Sequence, residues 1–167
     1  MILTPHILIG AIIGSKISSP PLIFILSFLS HYFLDMIPHY EYKISGLKHQ
    51  KIQYDRIFFI YLSKISIDFL IGMGLALWLT WGTPTKTLAI IGMVSALIPD
   101  GLLFLYWRSP DQPILKFFAT LHRAIHFLKR ISPNWLGIAV EIIIIIAAVI
   151  FLAQPLFHGF SFFPLNP

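Results

Sequence analysis

The sequence predicts an all-α, polytopic integral membrane helical bundle with four to five transmembrane helices, and three observations carry that prediction. The 167 residues are 57% apolar and only 11% charged, with a mean hydropathy of +0.82, whereas a soluble domain runs at about half apolar and a quarter charged. The apolar residues gather into five stretches, roughly 4–17, 20–38, 56–80, 86–107 and 135–157, against the ~20 residues a helix needs to cross hydrocarbon. Lys and Arg are shared unevenly between the connections, as expected of a chain that threads a bilayer.

Each stretch has its own signature. The first is the shortest, which leaves the count between four and five. The second ends at Ile37-Pro38, where proline stops a helix. The third carries Lys64 and Asp68, four apart and so on one helical face, an arrangement expected to form an internal ion pair. The fourth closes on Pro99-Asp100 and a short apolar tail. The fifth holds Glu141, expected either to orient a ligand imidazole or to stay protonated in its apolar setting. Trp78, Trp81, Trp107 and Trp135 fall near span ends, as in an aromatic belt. The chain reads as a single membrane domain, 1–167, with cytoplasmic loops at about 39–56 and 108–134, and His49 and His158 read as loop and tail residues.

Five spans put Lys43, Lys48, Lys51, Arg56, Arg108, Lys116, Arg123, Lys129 and Arg130 on one face, and Lys16 and Lys86 on the other. Positive residues mark the cytoplasmic side, so the N-terminus is expected inside and the C-terminus outside. The formal charge of +5 then describes a basic collar at the membrane surface. No nucleic-acid-binding motif is present. No positive n-region or small-residue cleavage site precedes the first stretch, so no removable signal peptide is expected. With no cysteine, thiolate ligands and cysteine nucleophiles are excluded, and any metal must be held by nitrogen and oxygen.

The same topology gathers the chemistry. His31 and Asp35 lie one helical turn apart, with His39 a further turn on. His6 opens the first stretch, Asp100 lies near the end of the fourth, and His122 and His126 fall in the following connection. All belong to the cytoplasmic face, although topology was assigned from Lys and Arg alone. Thr4-Pro5-His6, Ile37-Pro38-His39 and Ile98-Pro99-Asp100 each put a candidate ligand directly after a proline, which places these residues at helix ends. His122 and His126, four apart, share the spacing by which helical histidines bind one ion, but without the intervening glutamate that serves as base in hydrolytic zinc helices. A metal-bound hydroxide, or Asp35 or Asp100, would have to take that role, with His6 as a ligand or base, and Arg123 beside the pair suits an anionic oxygen such as phosphate.

Ser30-His31-x3-Asp35 resembles the Ser-His-x3-Asp element of bacterial membrane-bound metal-dependent hydrolases of the inner membrane. His6 followed by Gly10, Pro99-Asp100, and His122-Arg123 with nearby His126 resemble other elements of that family. In the family the histidine pair reads His-Arg-x-x-Thr-His, five apart; here it is four apart. The resemblance implies a multi-pass protein of the bacterial-type inner membrane and a metal-dependent hydrolase of unidentified substrate.

The expected centre therefore comprises His6, His31, Asp35, His39, Asp100, His122 and His126, enough for one or two divalent ions. Zinc is the first choice, and manganese or iron would accept the same ligands. The expected reaction is attack by metal-bound hydroxide on a phosphoester of a lipid-linked or other membrane-associated substrate, with Arg123 steadying the developing charge. Two other classes stay open: a haem-binding electron-transfer subunit with axial histidines, and a transporter or structural membrane subunit with His31, Lys64, Asp68 and Glu141 along a polar path.

Overall fold

The computed structural model describes residues 1–40, 56–126 and 133–158, with the side chains of the last segment described as far as Gln154. Lys43, Lys48, Lys51, His49, Lys129, Arg130 and the side chain of His158 lie outside the described residues. The described chain is all-helical, in six elements: α1 (Leu3–Lys16), α2 (Pro20–Met36), α3 (Arg56–Thr80), α4 (Lys86–Arg108), α5 (Pro113–Ile125) and α6 (Asn134–His158). The five apolar stretches correspond to α1, α2, α3, α4 and α6. Among them α3, α4 and α6 are long and apolar enough to cross a membrane. At about 1.5 Å per residue the 14-residue α1 rises ~21 Å, short of a ~30 Å hydrocarbon core.

The short helix is also the central one. α1 packs most extensively on α4, and further on α3, α2 and α6. Its second half lies so close to α4 that side chains are excluded: a Cβ on Gly10 would stand 2.4 Å from the Gly92 carbonyl oxygen, and one on Gly14 2.1 Å from that of Leu88. Glycines of this kind let membrane helices gain backbone-to-backbone dispersion contact where no hydrophobic effect drives them together. Ile7, Leu8, Ala11, Ala76, Leu79, Ala89, Met93, Ala148 and Leu152 fill the core around that seam. The outward faces are as apolar as the core, with Leu70 and Ile71 on α3 and Ile143, Ile146 and Ile150 on α6 all exposed. A helix apolar all round is one suited to apolar surroundings on every side, as in the core of a large protein or a membrane span.

The α1–α4 contacts run antiparallel, so Lys16 and Lys86 come to one end of the bundle, beside Trp78 and Trp81. Lys86 Nζ stands 3.4 Å over the Trp81 ring. Trp107 and Trp135, at the end of α4 and the start of α6, mark the other end. Proline behaves as expected at two of its three ligand-bearing sites: Pro5 lies in the first turn of α1, and α2 stops at Met36 before Pro38. Pro99 departs from expectation. It sits inside α4, which continues to Arg108, so Asp100 is eight residues, about 12 Å, short of the helix end. Nearby, the apolar tail Leu102 to Trp107 supplies enough helix-forming residues to carry the helix past one lost hydrogen bond.

Candidate metal centre

The first turn of α1 needs partners it does not carry. Ile2 occupies the N-cap and has no side chain to accept from the free amides. Those amides are met by carboxylates from other helices. Asp68 of α3 accepts from Leu3 N (2.5 Å), Thr4 N (3.4 Å) and Thr4 Oγ1 (2.6 Å), and Glu141 of α6 accepts from Ile2 N (3.2 Å). Negative charge at a helix N-terminus is also favoured by the helix dipole. The expected Lys64–Asp68 ion pair is therefore absent: Lys64 lies on the exposed face of α3, while Asp68 turns inward to α1. Glu141 supports the backbone of α1, accepting from Ile2 N rather than from an imidazole.

Anchored in this way, α1 places His6 against the end of α2, and the imidazoles converge on Asp35. Asp35 Oδ1 is 3.4 Å from His6 Nε2 and 3.9 Å from His39 Nε2; Oδ2 is 3.1 Å from His31 Nε2, 3.8 Å from His122 Nε2 and 3.7 Å from His126 Nε2. The terminal amine of Met1 also reaches Oδ1 at 2.9 Å. Asp100 joins from α4, its Oδ1 3.7 Å from His31 Nε2. All seven residues expected as ligands thus meet, in three overlapping groups: His6, His31 and Asp35; His31, Asp100 and His122; Asp35, His39 and His126. His39 does leave the helical strip, since α2 ends before it, but the chain turns it back within reach.

Ring orientation is set by the backbone. His31 Nδ1 donates to the Ala96 carbonyl (2.8 Å), His39 Nδ1 to that of Ile37 (2.8 Å) and His126 Nδ1 to that of His122 (2.7 Å). Each bond holds the proton on Nδ1 and leaves the Nε2 lone pair facing the cluster, the arrangement found around metal-ligating histidines. His6 and His31 stack at 3.9 Å between ring centroids, so their nitrogens point side by side toward the carboxylate. Both nitrogens of His6, His31 Nε2 and Asp35 Oδ2 are buried without a hydrogen-bond partner; the 3.1 Å approach of the last two lacks hydrogen-bond alignment. Buried polar atoms left unpaired in this way cost about 1–3 kcal/mol each. Burial also pushes the His122 pKa down to about 4, against the upward pull of Asp100 and Asp35, which keeps that imidazole in its ligating, neutral form.

The spacings suit an ion. Two ligands at 2.0–2.1 Å from a tetrahedral zinc stand about 3.4 Å apart, inside the 3.1–3.9 Å range of the nitrogen-to-oxygen separations on Asp35. Buried His and Asp groups here are able to hold a metal ion. Arg123 does not join them. One position beyond His122 rotates its side chain about 100° away, and its guanidinium turns back along α5, Nε donating to the Ala119 carbonyl (3.3 Å) and Nη2 to Thr120 Oγ1 (3.4 Å). Sequence reasoning missed the caps supplied by Asp68 and Glu141. The signal was present: an α1 start with no capping residue, and two apolar stretches each carrying a carboxylate.

No protein-family model matches the chain, and neither a curated protein nor a solved structure does.

Proposed function

We propose that this protein is a membrane-embedded metal-dependent hydrolase acting on a phosphoester of a lipid-linked or other membrane-associated substrate. One observation carries the reading: five imidazole Nε2 atoms lie within 3.9 Å of a single buried carboxylate, with several donor atoms unpaired. A structural hydrogen-bond network would pair those atoms; a set of ligands leaves them for a cation. Zinc is the first choice and manganese or iron the alternatives, since mixed imidazole and carboxylate donors suit all three. The donor count is enough for one or two ions, which His6 and His39 beside Asp35 Oδ1, and His31, His122 and His126 beside Oδ2, would hold. The metal would supply a nucleophile at neutral pH by lowering the pKa of a water to about 7.

Asp100 is the cluster's most accessible member, 31% exposed against 1% for Asp35. It is the carboxylate that a substrate meets first and the one suited to take a proton from water, while Asp35 and His6 serve as ligands. The side-by-side stacking of His6 and His31 favours ions over haem, whose axial imidazoles face one another across the macrocycle. The basic residues at the site end of the bundle favour a cytoplasmic N-terminus in a bacterial-type inner membrane.

The test is elemental analysis of detergent-purified protein beside Asp35→Ala and His122→Gln, paired with hydrolysis of p-nitrophenyl phosphate and of a lipid phosphate. Stoichiometric metal in the wild type, lost in both variants together with phosphate release, is the expected outcome. Metal-free wild-type protein, or folded variants with unchanged metal, would overturn the proposal.

A further inference from the structure

α5 has three faces, and among the described residues only one of them packs on the bundle. Leu115, Phe118, Ala119 and His122, at helical spacing, turn inward; Phe118 meets Phe28 of α2 at 5.9 Å and His122 meets His31 at 5.6 Å. A second stripe, Ile114, Phe117 and Leu121, is also apolar but points out, with Ile114 71% and Phe117 64% exposed. The third stripe, Lys116, Thr120 and Arg123, is polar, basic and exposed. The helix contains no acidic residue; Asp111, in the turn before it, is the nearest in sequence.

These stripes point to one occupant. At 13 residues α5 is about 20 Å long, too short to span. Two neighbouring apolar faces and one basic face describe a helix lying where hydrocarbon, protein and headgroups meet. The outward apolar stripe continues the lipid-facing surface formed by Phe104 and Leu105 of α4 and by Leu29 and Phe33 of α2, all exposed. Lys116 and Arg123 supply positive charge beside that surface, complementary to phosphate.

We infer that α5 lies in the membrane interface, with Ile114, Phe117 and Leu121 among the acyl chains and Lys116 and Arg123 binding the phosphates of anionic phospholipid. Because His122 is on the same helix, lipid at the outer faces holds the inner face, and with it one ligand of the candidate centre, in position. The inference rests on the membrane reading above but not on the presence of a metal.

The absence of cysteine makes the test direct. Single-cysteine forms of the full chain at Ile114, Lys116, Phe117, Thr120 and Leu121 are spin-labelled in nanodiscs of phosphatidylcholine with a quarter phosphatidylglycerol. Labels at 114, 117 and 121 are expected to be relaxed by oxygen, which partitions into lipid, and those at 116 and 120 by a water-soluble nickel chelate. A label at Ile143, in the middle of α6 and exposed, is the control for the membrane reading. Lipid exposure at 143 with all five α5 labels open to nickel overturns the inference alone, as does shielding of 114, 117 and 121 from both reagents, which would mean a protein partner covers them. Nickel access at 143 overturns the membrane reading itself.

In a second measurement, wild-type protein extracted in detergent should retain phosphatidylglycerol over phosphatidylcholine, and Lys116→Gln and Arg123→Gln should each weaken that preference, by about fivefold. Equal retention of the two lipids by wild type would remove the anionic-lipid component.

Discussion

The two halves of α1 are held by opposite means. From Gly10 to Lys16 no side-chain hydrogen bond or ion pair holds the helix among the described residues, and the bundle is tight because Gly10, Gly14 and Gly92 let two backbones touch. From Met1 to His6 polar contacts do the holding: the Ile2, Leu3 and Thr4 amides bind carboxylates from α6 and α3, and His6 stacks on His31 beside Asp35. The apolar half gains from packing alone and would tolerate any ligand state. The polar half leaves buried donor atoms unpaired, and a cation between them would remove that deficit. One short helix thus serves as a fixed post at one end and carries His6, a candidate ligand, at the other.

Asp35→Ala attacks the difference at its widest. All five imidazoles lose their common anion, so metal affinity should fall by more than the 10–100-fold typical of residues that merely orient a ligand, as read by titration with zinc after chelation. Chelation of the wild type should in turn lower its unfolding temperature, because an ion bound only by the native state stabilises it by mass action. Wild-type protein whose melting is indifferent to chelator would make the polar half a hydrogen-bonded structure like any other. Gly14→Ala probes the opposite end. Its Cβ would meet backbone atoms of Leu88 and Ala89 at 2.1–2.6 Å, with no rotamer to relieve the clash, so the cost should approach the upper end of the ~1–3 kcal/mol of an overpacked site. Unfolding in mixed micelles measures it, and metal stoichiometry in the folded fraction should not change. Metal loss in Gly14→Ala would mean that the halves are coupled rather than separate.

How far these halves were legible in the sequence differs as well. The helices were readable because lipid demands long apolar runs, and five stretches became α1, α2, α3, α4 and α6 within a residue or two. The convergence of His6, His31, Asp35, His39, Asp100, His122 and His126 was readable because charge bias alone sorted helix ends to one side. Depth was not. Proline at position 99 suggested a helix end, yet α4 ran on to Arg108, and periodicity carries no information on how far one helix slides along another. The direction of Arg123, turned about 100° from His122 and bonded back along α5, is likewise not carried by adjacency in sequence. Asp68 was assigned to Lys64 by the i,i+4 rule, and the competing acceptor need of α1, 64 residues away in sequence, was invisible to a local rule.

That last case gives the finest test of what holds the polar half. If Lys64 and Asp68 were an ion pair, removing either would cost about the same, since each would leave the other uncompensated. The structure assigns the two residues unequal work. Asp68→Ala strips the acceptor from Leu3 N and Thr4 N, leaving Thr4 Oγ1 only the Asp68 carbonyl, and should destabilise by roughly 1–3 kcal/mol, the cost of buried donors left unmet. Thr4→Val, which removes only the hydroxyl bond, should cost about 1 kcal/mol. Lys64→Ala touches an exposed position with no partner in the described residues and should stay within about 0.5 kcal/mol. The three are measured by one unfolding series in the same micelle, and the ordering Asp68, Thr4, Lys64 is the prediction. Equal losses for Asp68→Ala and Lys64→Ala, additive with neither but cancelling in the double variant, would return the carboxylate to the lysine and leave the start of α1 without its cap.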